Sequence, residues 1–145
     1  MERFRLQRVL DYRRQREEAC EHALRQVQIL HQQEEARLAA LQAEAQAQAE
    51  HLEASRSAAL SSTELQLWQR YHQVLAQEIA AQQEVVAQAA HVVAEHRQRL
   101  LVARQETKVI EKLRDKARQR TLLELTRREQ RLLDELALTR SRHER

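Results

Sequence analysis

The chain runs through 145 residues without one glycine or proline. Those two residues supply most tight reversals and helix stops, glycine by tolerating positive φ and proline by lacking a backbone donor. A compact domain of many short elements needs several such reversals, so this chain has few. Its abundant Ala, Leu, Gln, Glu and Arg are good helix formers. With only 3% aromatic residues, there is too little bulk for a large globular core or an enclosed cofactor pocket. The expectation is an all-α, rod-like chain of very long helices.

Other function classes fall away on similar grounds. A lone cysteine, Cys20, excludes an intrachain disulfide and a thiolate zinc cluster. With no glycine there is no phosphate-cradling loop. Seven histidines are present, but no Glu-x-x-His pair of the di-iron bundle type, and His91 and His96 are five apart, on different helix faces. No catalytic residue, cofactor or metal is expected. No apolar run approaches the roughly 18 residues of a membrane span, so no transmembrane insertion is expected. The opening MERFRLQRVLDYRR has no unbroken apolar stretch and reads as neither a secretory nor a transit signal. Cytoplasmic residence is the expectation.

Heptad counting gives the helices. Positions 6, 10, 13, 17, 20, 24, 27, 31, 34, 38, 41, 45, 48 and 52 form one seam, and nine of these fourteen are apolar. A second seam at 68, 72, 75, 79, 82, 86, 89, 93, 96, 100, 103, 107 and 110 has nine of thirteen apolar. The phase slips near Leu113–Arg118, and Leu122, Leu125, Leu132 and Leu136 carry a new stripe. Between the seams, Ser61-Ser62-Thr63 is a polar cluster of poor helix formers. Ser61 with Glu64, or Thr63 with Gln66, fits a capping box.

The prediction is therefore one coiled-coil domain over residues 1–145. Helix 1 spans about 3–59, the turn 60–62 and helix 2 about 63–142. At 1.5 Å per residue the antiparallel arms would measure roughly 85 and 120 Å. An unbroken helix dimerising with another chain is the structural alternative. A turn centred on residue 62 sets residue i against 124 − i: Leu24 with Leu100, Leu38 with Val86, Ala45 with Ile79. Helix 1 is then used up near residue 122, and helix 2 overhangs at the C-terminus. Its leucine stripe there, exposed on an isolated chain, points to a partner. Trp68 and Tyr71 either cap the core end or, in the case of Tyr71, face a partner.

Charge is segregated along the chain. Residues 1–16 hold six Arg against two acids, 17–96 four Arg against twelve acids, and 97–145 fifteen Lys/Arg against eight acids. Lys108, Lys112, Lys116 and Arg120 recur every fourth residue, a cationic ridge whose members repel by roughly 0.2–0.5 kcal/mol per pair. With Arg8, Arg13, Arg14 and Arg16 expected beside it, the ridge calls for an external acidic partner.

Three blocks in order, FRLQRVLDYR at Phe4–Arg13, KVIEKLRDK at Lys108–Lys116 and LLDELA at Leu132–Ala137, resemble the FliJ family over the full length. That family comprises coiled-coil stalk proteins of the bacterial flagellar type III export apparatus. The resemblance implies an antiparallel two-helix coiled coil with no catalytic activity, serving flagellum biogenesis and motility. It further implies that the paired chain ends engage a hexameric export ATPase and regulate it, while the region nearer the turn contacts the membrane export gate. Export chaperones are implied as further partners, with peripheral association at the inner membrane. Carried over by block, Phe4, Leu6, Val9, Leu10, Lys108, Ile110, Glu111, Lys112, Leu113, Lys116, Leu132 and Leu136 would lie at the ATPase end. Leu41, Tyr71 and Leu75 would lie on the gate-contacting face, although helix 1 offers Ala and Gln near the turn where the family often has aromatics.

Rival readings share the helical fold. The equivalent stalk of a virulence injectisome fits the ELQLWQRY segment after the turn, and a generic coiled-coil scaffold fits the heptads. Nucleic-acid binding by residues 97–145 is disfavoured. A basic-zipper arm adjoins an uninterrupted zipper, whereas Glu106, Glu111, Asp115, Glu124 and Glu129 interrupt this one.

Overall fold

A computed structural model describes residues 4–56 and 58–143. Among these residues there are two helices and no strand: α1, Gln7–Arg56, and α2, Ser62–His143. They pack against each other as a helical hairpin. Helix 1 thus starts later and stops three residues earlier than the sequence predicts; its expected first residue, Arg3, lies outside the described residues. Ser61 caps α2 through the reciprocal box: Glu64 N–H donates to Ser61 Oγ at 3.3 Å, and Ser61 N–H donates to the Glu64 carboxylate at 3.2 Å. The Ser61–Glu64 alternative is the one adopted.

The heptad seams hold closely. All thirteen positions on helix 2 are buried or half-buried, and so are thirteen of the fourteen on helix 1. The exception, Leu6, is 36% exposed. It precedes the first helical residue. A two-helix seam leaves every core residue within reach of solvent on two sides, so its fully excluded apolar set is small. Leu10, Leu75, Val93, Leu100 and Ala103 make up that set.

The chain divides into two compact units, one formed by Met1–Glu18 with Val102–Arg145 and the other by Ala19–Leu101. Inside the second unit, Gln82 donates to the Glu34 carbonyl at 3.0 Å, Tyr71 bonds to Glu44, and the rings of His51 and Trp68 lie 5.5 Å apart. These pairs correct the predicted register. Partners 34 with 82 and 44 with 71 fall about two turns from the i against 124 − i rule, and 51 with 68 about one turn. The pairings of Leu38 with Val86 and Ala45 with Ile79 shift accordingly. The cause is the turn itself, which is centred near residue 59 because α1 ends at Arg56 and α2 starts at Ser62.

Polar seam residues are satisfied locally. Gln82 is buried and reaches across to Glu34, while Thr107, also buried, donates to the Ala103 carbonyl at 3.0 Å. Thr121, Thr126 and Thr139 turn back in the same way onto Ala117, Leu122 and Glu135. A buried hydrogen-bonded pair such as Gln82–Glu34 disfavours register slip, since a shifted partner would leave a polar group unpaired at a cost of about 1–3 kcal/mol.

Candidate protein-docking site

The unit containing both chain-end segments holds every residue expected at the ATPase end. It carries nineteen Lys/Arg against twelve Asp/Glu, whereas the other unit carries six against ten. Four ion pairs tie α1 to α2 within it. Arg13 Nη1 lies 2.6 Å from the Glu106 carboxylate and Arg16 joins the same carboxylate at 4.0 Å. Arg14 meets Glu111 at 3.4 Å, and Arg104 meets Glu17 at 3.5 Å. The side chains are partly solvated, which keeps the worth of each pair at about 0–1 kcal/mol. Their main effect is on charge distribution. Three of the four α1 arginines expected to aggravate the ridge, Arg13, Arg14 and Arg16, are instead spent on Glu106 and Glu111.

The ridge itself stays uncompensated. Lys108, Lys112, Lys116 and Arg120 are all exposed, and none forms an ion pair among the described residues. Glu111 is half-buried and held by Arg14, so it braces α1 against α2. Phe4 is half-buried, with its carbonyl accepting from Gln7 N–H at 3.0 Å. Leu6, Val9 and Leu113 are exposed and Ile110 half-buried. Leu10 is completely buried. It can meet a partner only if the helices part, so it supports the surface from beneath.

Beyond Arg114 the helix changes character. From Asp115 to His143 every residue is exposed, although the backbone remains helical. The expected cover up to residue 122 therefore ends about two turns sooner, because α1 begins only at Gln7 and the turn is displaced. Leu122, Leu123, Leu125, Leu132, Leu133, Leu136 and Leu138 are each 49–65% exposed. At 100° per residue, Leu122, Leu125, Leu132, Leu133 and Leu136 share one side. Lys116, Arg120, Arg127 and Arg131 cluster on the opposite side. Arg118, Glu129 and Arg140 interrupt the leucine side, and among the described residues nothing of its own chain covers it.

In the other unit, Leu75 is buried in the seam and Leu41 is half-buried, while Tyr71 is 39% exposed beside the seam, where it bonds to Glu44 of α1. The hydrogen bond to the Glu44 carboxylate raises the Tyr71 hydroxyl above its ordinary pKa, with smaller contributions from burial and from the charges of Glu44 and Glu78. Trp68 caps the core end, its ring between His51 and His72. Cys20 is a half-buried seam residue. Among the described residues no three His, Cys, Asp or Glu come together as a metal site, and no helix is long and apolar enough to cross a membrane.

One surface escaped the heptad count. Leu67, Tyr71, Val74, Ala81, Val85 and Val92 lie one position before the seam at steps of three, four or seven residues, with Glu78 and Gln88 on the same line, and are all exposed. The signal was present as a second apolar period, hidden because the stronger seam lies beside it.

Among the described residues, two long helices packed by heptads define a coiled-coil protein. The family described as Flagellar FliJ protein matches residues 1–145, the whole chain, and the chain belongs to that family. No curated protein and no solved structure matches it. Membership makes it a flagellar export-associated coiled-coil protein.

Proposed function

We propose that the chain is a non-catalytic stalk of the flagellar type III export apparatus, docking its basic, leucine-bearing chain-end unit onto the hexameric export ATPase. The observation that carries this reading is the amphipathic helix 115–143, uncovered in a chain of this family. Leu132 and Leu136 supply apolar anchors, each worth roughly 1.5–3 kcal/mol if fully buried against a partner. Lys108, Lys112 and Lys116 steer the approach to an acidic ring surface. Phe4, Leu6 and Val9 extend the same surface from the α1 side, and Leu10 and Glu111 hold it in shape. Tyr71, supported by Leu41 and Leu75, faces the export gate. This places the working protein on the cytoplasmic side of the inner membrane, attached through other proteins, where export chaperones also meet it.

Truncation after Leu123 tests the reading. The melting temperature should hardly move, because the removed residues have no intrachain cover, while ATPase-ring binding and motility should be lost. Normal motility from the truncated chain would overturn the proposal. So would loss of the hairpin itself, since that would make the removed segment a part of the fold.

A further inference from the structure

Two uncovered faces on α2 match each other in length, apolarity and charge. The first is the leucine face of residues 115–143, a segment with eight Lys/Arg against five Asp/Glu. The second is the outer stripe from Leu67 to Val92, where residues 64–95 hold four Glu against Arg70 alone. At 1.5 Å per residue they run about 43 and 39 Å. The stripe starts at a shallow depression of 240 Å³ lined by Glu64, Leu67, Trp68 and Tyr71, which gives a leucine side chain somewhere to enter. Glu64 lines that depression and Tyr71 bonds to Glu44 there, the hydrogen bond that chiefly raises the Tyr71 pKa, with a smaller effect from the charge of Glu78.

We infer that the 115–143 helix of one copy docks on the Leu67–Val92 stripe of a second copy, leucines against the stripe, with Arg118 and Arg140 on the leucine side and Arg128 at its edge turned toward its glutamates. The contact joins two different surfaces, so it either closes into a small oligomer or propagates from copy to copy. It uses the leucines that an export partner would need, which makes the self-associated chain a resting form. The inference stands apart from the export reading, because its test weighs the purified chain with no partner present.

Sedimentation equilibrium of the full chain should show concentration-dependent association that weakens with added salt, as contacts between exposed charges do. Val74→Glu with Val85→Glu breaks the stripe, and Leu132→Glu with Leu136→Glu breaks the overhang. Each double variant alone should associate about tenfold or more weakly, the scale expected when central apolar anchors are lost. All four positions are exposed, so helix content should be retained. Mixing the two variants is decisive: each keeps the surface the other lacks, and one good contact should form, restoring a heterodimer. A wild-type chain that stays monomeric overturns the inference. So do association surviving in both variants, loss in the stripe variant only (stripe on stripe), loss in the overhang variant only (overhang on overhang), and a mixture that stays monomeric.

Discussion

Helix α2 contains two stretches of similar chemistry and opposite fate. Between Leu75 and Thr107 its heptad residues are largely shielded, with Leu100 only 6% exposed, whereas Leu132 in the same helix is 60% exposed. Both leucines sit in regular helix with neighbours of the same kinds. What separates them is the far side: α1 lies across from Leu100 and ends before it can reach Leu132. Burial here is a property of the pair of helices. The stretch past Arg114 accordingly contributes surface and the stretch before it contributes stability.

The largest effect follows directly. Leu100→Ala should destabilise the hairpin by about 2–5 kcal/mol, the range for leucines lost from cores, while Leu132→Ala should stay within about 0.5 kcal/mol. Denaturant unfolding followed by circular dichroism measures both, and equal losses would erase the distinction. A smaller effect sharpens it. Lys108, Lys112 and Lys116 lie on the outer face near the end of the covered stretch and should behave like overhang residues. Reversing all three to Glu should leave helix content intact, with each change costing no more than about 0.5 kcal/mol. Salt-sensitive stimulation of the export ATPase should disappear; undiminished stimulation would return the ridge to a solvated face.

The smallest effect belongs to Tyr71. Its folded pKa is raised, so the neutral hydroxyl is the form the fold prefers. That contribution is complete below the unfolded tyrosine value of about 10 and is lost as pH rises through the folded pKa. A phenolate absorbance titration should show one late-titrating tyrosine, absent in Tyr71→Phe. A single transition in both proteins would remove the Glu44 bond as its cause.

Much of this organisation is readable in the sequence because heptad periodicity acts at every turn. Even His72, His96 and Gln82, polar residues on seam positions, are enclosed as the count requires. The register is less legible. Ala58, Ala59 and Leu60 are good helix formers, and nothing in them announces that α1 has already stopped at Arg56. Repeats rich in Ala and Gln also fit one turn up or down almost equally well. The Arg13–Glu106 bridge was missed for that reason, lying five residues from the predicted register, whereas Arg14–Glu111 lies within one residue of it. The candidate residues divide likewise. The heptad count already sets Lys112 and Leu136 outside and Leu10 and Leu75 inside, at odds with the contact roles that the resemblance implies for Leu10 and Leu75.

The threonines whose hydroxyls turn back onto α2 carry a mechanical consequence. Such back-bonding loosens and bends a helix slightly. At Thr107 a packed neighbour shares any bending load, so the local softening is held in check. Thr121 and Thr126 sit where the helix is single, and a lone helix resists bending far less than a laterally bonded pair. Force applied near Leu136 therefore bends the tip before it disturbs the seam, making the tip a compliant coupling that can follow an uneven or moving surface while the paired helices keep their register.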